Sequence, residues 1–247
     1  MKLALKAPHV VYRNAAGQRR PGVTTVLGSL AKPQLYRWYA AMERDACDRG
    51  LPIPPPNDKG EPVYFAELKR DKAADLGTIV HARIEAWLRG EELEPDDLPP
   101  DLYEQSVHGF DRFRQWWTDN NFGLVASELG KDGRSLVSEE MQVGGTMDVA
   151  ATNMSCTGSK GIVVVDIKSS KANPGWPFKE MKSQAQTYGR IWTELNHAPV
   201  HEVWLYRCGT TEKDPGQEHQ LSDKERDAGN RLFDGALLAY EAARDLE

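Results

Sequence analysis

Apolar positions along the chain recur first at helical spacing and then at strand spacing. Near the start, His9 to Tyr12 reads as a short strand-like piece, followed by a polar turn through Gly17, Arg19, Arg20 and Pro21. The stretch from Val23 reads as a turn, and Leu35, Trp38, Tyr39 and Met42 then fall at helical spacing, predicting a helix from about Gln34 onward. Leu51 to Pro62 holds five prolines and can be neither helix nor interior strand. A second helix is predicted to start near Glu67 or after Gly77, to carry GTIVHARIEAWLRG and to stop at Gly90. An acidic, proline-bearing linker over Glu91 to Pro100 precedes an amphipathic helix from Leu102 to Asp119, with Asp101 as its cap and Tyr103, Val107, Phe110, Phe113 and Trp117 as its apolar stripe.

After Asp119 the period shortens. Leu124 to Leu129, Leu136 to Ala151 and Ile162 to Ile167 read as three strands of an antiparallel meander joined by Gly-, Asn- and Ser-containing turns. A helix at about Pro177 to Asn196, a strand over 201 to 208, a charged loop from Thr210 to Gln220 and a last helix capped by Ser222 complete the pattern. That last helix carries Leu232, Phe233, Leu237 and Tyr240 on its apolar face. This order predicts an α+β fold around a mixed sheet, the meander plus one further strand, flanked by helices. We read a single domain over 1–247, with 1–66 as an N-terminal accessory segment and 210–247 as a C-terminal helical extension.

Composition narrows the class. With 247 residues, 40% of them hydrophobic and 28% charged, the chain can bury a sizeable core, which excludes disordered and low-complexity classes. The opening lacks the apolar run of a signal peptide, and no stretch approaches a membrane span, so a cytoplasmic protein without membrane partners is expected. Cys47, Cys156 and Cys208 lie far apart and form no C-x-x-C pair, which fits a reducing compartment and neither a zinc site nor an iron–sulfur cluster. A net charge of −6 argues against a protein that coats nucleic acid by excess basicity. It does not exclude an enzyme with a local basic channel, since carboxylates gathered around a divalent cation count as net negative when the metal is left out of the sum.

Three motifs carry candidate chemistry. The first is GGTMD followed by VVVDIKSS. Asp166 and Lys168, at i and i+2 in a strand, share a face while Ile167 turns into the core, and a hairpin can bring Asp148 beside them. Converging carboxylates repel unless a proton or cation lies between them, and Mg²⁺ prefers one or two carboxylates with waters and phosphate oxygens. An isolated D-x-K is more often an edge-strand ion pair. The valines Val163 to Val165 weaken that reading, because they describe a strand buried on both faces.

In the second motif, GTIVHARIE, Gly77, His81 and Glu85 stack on one helical face. Gly77 leaves room for close backbone approach and the imidazole of His81 can ligate metal, whereas Glu85 taken alone reads as an i,i+4 partner of Arg89. In the third, KEMKSQAQTYGRIW, Gln184 and Tyr188 lie one turn apart. Lys168, Lys171, Lys179, Lys182 and Arg190 stand in that region against only Asp166 and Glu180, which reads as a phosphate-tracking rim.

In order, PGVTTVLGSLAKPQLYRW, GTIVHARIE, GGTMD, VVVDIKSS and QAQTY resemble the successive motifs of RecB-like, phage-type exonucleases of the PD-(D/E)XK superfamily, similar to mitochondrial genome maintenance exonucleases. The resemblance spans roughly residues 21 to 190, and the ordered co-occurrence is far more specific than any single motif. It implies a restriction-endonuclease-like core and a metal-dependent DNA nuclease, most readily an exonuclease acting on DNA ends or single strands in recombination, repair or phage DNA metabolism. The rival readings are a structure-specific endonuclease and a non-catalytic nucleic-acid-binding module. The resemblance further implies Mg²⁺ or Mn²⁺ held by His81, Asp148, Asp166 and the carbonyl of Ile167, with Asp148, Asp166 and Lys168 as the catalytic set. Gln184, Tyr188, Lys171, Thr24, Thr25 and Trp38 would approach the substrate, and Glu85 would be accessory. The acidic residue that often precedes the G-x-x-D motif stays open among Glu128, Glu139 and Glu140. No iron–sulfur cluster is implied. DNA is the implied partner, and since the chain has no P-loop, a helicase or single-strand annealing protein would be a separate chain.

Overall fold

A computed structural model describes residues 10–93, 98–153, 161–169 and 175–246. The first described elements are a two-stranded hairpin, β1 (Tyr12–Arg13) and β2 (Arg19–Arg20). Four helices follow: α1 (Val23–Gly28), α2 (Pro33–Asp48), α3 (Phe65–Leu88) and α4 (Pro100–Asp119). Next come β3 (Phe122–Leu129), a small hairpin of β4 (Val137–Ser138) and β5 (Val143–Gly144), then β6 (Met147–Asn153) and β7 (Ile162–Lys168). The helix α5 (Lys179–Asn196), β8 (Val200–Arg207), β9 (Gln217–Gln220) and α6 (Asp223–Arg244) complete the order. Local signals account for several ends. Pro33 and Pro100 occupy first-turn positions where a missing N–H costs nothing, and Ser222 with Glu225 forms a capping box at the start of α6.

Five strands form the central sheet in the order β3-β6-β7-β8-β9. β3, β6 and β7 make the expected antiparallel meander, β8 runs parallel to β7, and β9 returns antiparallel to β8. Helices cover both faces. On one, Val23, Val26 and Leu27 of α1, Ala185, Tyr188 and Ile191 of α5, and Phe233 of α6 bury Ala150, Val164, Val203 and Leu205. On the other, Ile79, Val80 and Ile84 of α3 and Phe113, Trp116 and Trp117 of α4 bury Val149, Ala151, Val163, Val165 and Ile167. β7 is thus apolar on both sides, as its valine run predicts. α1, within the segment 1–66, and α6, within 210–247, both contribute to one core face. No helix among the described residues is long and apolar enough to cross a membrane.

Several expectations are corrected. Residues 23–28 form a helical turn, not a plain turn; six residues are too few for a periodic signal. α3 is one continuous helix that begins at Phe65 and passes through Gly77. In α4 the cap is Pro99, and Asp101 instead pairs with Lys72 at 2.5 Å. Its buried face is Leu102, Ser106, Gly109, Phe113, Trp116 and Trp117, with Tyr103 40% exposed, so the stripe is rotated from the predicted one. The stretch 136–151 is not one strand but a hairpin followed by β6. Gly145 lies at the break, where a Cβ would collide with Cε1 of Tyr188. Part of the charged loop 210–220 becomes β9, so the meander is extended by two strands, not one. His9, Lys171 and Cys156 lie outside the described residues.

The junction of α5, β9 and α6 is held by Glu225. Its carboxylate accepts from Lys182 at 2.6 Å, the Ser222 N–H at 2.9 Å and the ring of His219 at 2.9 Å. Burial alone would raise its pKa, but Lys182 and Ser222 outweigh it and bring it from 4.5 to about 2. A depressed carboxylate stabilises the fold fully above its unfolded pKa and loses that contribution as the pH falls through the folded one. Glu225→Gln should therefore lower Tm at neutral pH by roughly 2–4 °C, with the gap to wild type closing between pH 4.5 and 2. Thermal melts across that range check it.

Candidate metal centre

The sheet register assembles this site. β6 and β7 pair through Val149↔Val165, so Asp148 and Asp166 lie side by side one step further along. β3 pairs with β6 through Ser127↔Val149 and Leu129↔Met147, which sets Glu128 opposite Asp148. A row of carboxylates, Glu128, Asp148 and Asp166, therefore crosses three adjacent strands. Like charges directly opposite one another on a sheet are destabilising, so this row requires compensation. Because Val163, Val165 and Ile167 face α3 and α4, the alternation points Asp166 and Lys168 toward α5.

Lys168, His81 and Lys131 supply that compensation. Nζ of Lys168 lies 2.6 Å from Oδ2 of Asp166, whose side chain is 2% exposed. His81 of α3 lies with Nδ1 3.4 Å from Oδ1 of Asp148 and 3.8 Å from Oε1 of Glu128. α3 can approach because position 77 is glycine, where a Cβ would come within 2.9 Å of Oγ of Ser169. The other Asp148 oxygen accepts the Ile167 N–H at 2.7 Å. Around this set, Glu85 pairs with Arg89 at 2.6 Å and with Lys131 at 2.5 Å, and Lys131 reaches Glu128 at 3.3 Å.

The titration behaviour follows from these contacts. Burial lowers the pKa of His81, but Asp148 and Glu128 outweigh it and raise it from 6.5 to about 10. Burial likewise pushes Asp166 up, against the pull of Lys168 and with the push of Asp148, to about 6. Asp148 is held below its usual value because His81, Lys168 and the Ile167 N–H together overcome its burial. Lys168 is raised, its burial outweighed by Asp166 and Asp148, and stays charged.

Ligand atoms of His81, Glu128 and Asp148 lie within 4.8 Å of one another. One imidazole and two carboxylates form a donor set that could hold a divalent cation. Of the expected set, His81 and Asp148 belong to this group and Glu128 joins them, while Asp166 pairs with Lys168 and the Ile167 N–H donates to Asp148. Of the three glutamates left open, Glu139 instead accepts the Ala15 N–H at 2.8 Å, and the Glu140 N–H donates to Glu194 at 3.2 Å. Glu85 lines the same crevice as His81, but its oxygens are committed to Arg89 and Lys131.

Beside the charged row a cleft of about 530 Å³ opens between the N-terminal helices and α5. Thr24, Trp38, Lys168 and Gln184 line it, along with Lys32 and Glu180. Thr25 lines a different cleft. Tyr188 is 2% exposed, so it does not itself offer a contact surface; its hydroxyl accepts from Nε2 of Gln184 at 3.0 Å and fixes that amide at the cleft. Sequence reasoning missed Lys131 and left Glu128 unassigned. The signal for Glu128 is its place in the strand preceding the G-x-x-D strand, which becomes informative once the β3–β6 register is known.

The sequence matches no protein-family model and no curated protein. Among solved structures, one described as "Crystal structure of SSO0001" is similar over 88% of this chain and 84% of that chain, at 16% identity and a TM-score of 0.32.

A carboxylate whose folded pKa lies above its unfolded value loses stability for the fold as pH rises between the two. For Asp166 that window runs from 3.8 to about 6. Without metal, wild type should lose stability relative to Asp166→Asn as the pH rises through this window, and the difference should level off above it. Paired thermal melts in EDTA test this; a difference that does not vary with pH would mean Asp166 ionises as an ordinary carboxylate.

Proposed function

We propose that this chain is a divalent-metal-dependent deoxyribonuclease with a restriction-endonuclease-like core, hydrolysing phosphodiester bonds at DNA ends or in single-stranded DNA. The observation that carries the reading is the row Glu128, Asp148 and Asp166, compensated by His81 and Lys168, at the end of a buried strand beside an open cleft. The ordered motifs that resemble RecB-like nucleases, and the recombination, repair or phage DNA metabolism they serve, support the same assignment. His81, Glu128 and Asp148 would hold a divalent cation, which would supply charge stabilisation for phosphoryl transfer. Asp166 fixes Lys168, and the ammonium stabilises charge developing on the phosphoryl oxygens and orients the attacking water. Gln184, braced by Tyr188, positions the strand in the cleft.

The deciding experiment incubates purified protein with end-labelled linear and closed circular DNA, single- and double-stranded, with Mg²⁺, Mn²⁺ or EDTA. Metal-dependent loss of linear substrate supports the exonuclease. Cleavage of circles would replace it by an endonuclease, and metal-independent binding without cleavage by a non-catalytic module. Asp148→Asn and Glu128→Gln should each lower the cleavage rate by about 10²-fold or more and weaken Mn²⁺ binding. Lys168→Ala should lower the rate comparably while leaving Mn²⁺ affinity nearly unchanged, a split that cleavage kinetics and calorimetry resolve.

Neutral imidazole is the ligating form, and His81 is protonated at neutral pH with its pKa raised to about 10. Ion binding should therefore release about one proton and tighten as the pH rises, with His81→Ala abolishing the release. Calorimetry in buffers of different ionisation enthalpy measures it; binding that releases no proton would remove His81 from the ligand set.

A further inference from the structure

A second cleft, of about 510 Å³, lies between the β1–β2 hairpin, α1 and the end of α6. Its lining includes Arg19, Arg20, Arg244, Tyr240, Thr24 and Thr25, and among the described residues holds no aspartate or glutamate. In a chain of net charge −6 this is a local reversal of sign. Among the described residues neither Arg19 nor Arg244 forms an ion pair, and Nε of Arg20 is buried without a hydrogen-bond partner. Nη2 of Arg20 donates to Gln18 at 2.6 Å. The acid that feels Arg20 is Glu139, whose carboxylate is already held by Ala15, Asn14 and Gln142. Arg244 lies over the ring of Tyr240 at 5.9 Å, an arrangement that keeps a guanidinium extended along an aromatic face. Thr24 lines both this cleft and the one that contains Lys168 and Gln184, so the two are neighbours across α1.

We infer that this arginine cleft is a phosphate subsite, binding a backbone phosphate of the same nucleic-acid strand whose scissile bond lies at the carboxylate row. Guanidinium forks match phosphate geometry, and the space accommodates a nucleotide-sized group. Thr24 and Thr25, both exposed on the first turn of α1, supply hydroxyls on the path between the two clefts. This inference rests on the proposed nuclease reading. It adds that the strand continues from the catalytic cleft across α1 and onto the hairpin side.

The test measures binding, not cleavage. Fluorescence anisotropy would follow a single-stranded oligonucleotide of roughly twelve nucleotides on Asp166→Asn protein in EDTA, over a series of salt concentrations. In that background, Arg19→Ala with Arg244→Ala should weaken binding about ten-fold at moderate salt. It should also reduce the slope of log affinity against log salt by about 0.7 for each phosphate that is no longer neutralised. Both arginines are exposed, so Tm should change little. The double Arg→Lys protein should keep most of the salt slope. Lys213→Ala, at an exposed position on another surface, should change neither quantity. Unchanged affinity and slope in the double alanine protein, or an equal weakening with Lys213→Ala, would overturn the subsite and leave the nuclease assignment standing. If the parent protein neither binds nor cleaves any DNA, the nuclease assignment falls and the subsite falls with it.

Discussion

The structure depends on a row of carboxylates that its own sheet forces together. Glu128, Asp148 and Asp166 occupy neighbouring positions on β3, β6 and β7 because the register of the meander leaves them no alternative. β7 is covered on both faces, so Asp166 cannot be hydrated in place. Its nearest remedy is Lys168, on the same face two residues on and 2.6 Å away. Taking one of a buried ion pair away leaves the other uncompensated, commonly at a cost of about 3–5 kcal/mol. Asp166 and Lys168 are thus constrained as a pair.

His81 of α3 completes the charge balance of the row. The three carboxylates face three positive side chains, Lys168, Lys131 and His81, when His81 is protonated, and two when it is not. On the proposed reading, a divalent cation held by His81, Glu128 and Asp148 would take over the charge that the imidazolium carries. Glu128 shows that the arrangement is imposed on the chain. Its φ of 52° is in the left-handed region, which costs a non-glycine residue about 1–3 kcal/mol. Such backbone persists where the surroundings determine it, here the β3–β6 ladder on one side and Lys131 and His81 on the other.

What the sequence made legible follows from how local each signal is. The D-x-K pair, the valine run and the glycine of GTIVHARIE are set by alternation and helical spacing within one element, and the structure places Asp166, Lys168 and His81 accordingly. Asp148 required one hairpin register and was readable. Glu128 required a second register, across a strand with an irregularity between Leu124 and Ala126, and three glutamates competed for the role. β9 was invisible for another reason: QEHQ has little strand propensity, and the segment becomes a strand by pairing with Trp204 to Arg207. The burial of Tyr188 was equally unreadable, since it depends on Gly145 from a distant loop giving the ring its space.

The charge distribution constrains how such a protein would hold DNA on the proposed reading. A net charge of −6 repels a polyanion at long range, and the carboxylate row adds to the repulsion until a cation occupies it. Affinity would then rest on short-range contacts in the clefts. The cleft beside Lys168 is lined by Leu27, Leu35, Trp38, Phe178 and Met181 as well as by Lys32 and Gln184, a surface that offers stacking and apolar contact to an unpaired base. Bases in a duplex are already stacked on one another and present only their edges. On the proposed reading, a site that adds contact with base faces to local phosphate contacts would favour strands whose bases are free, without any base-specific hydrogen bond.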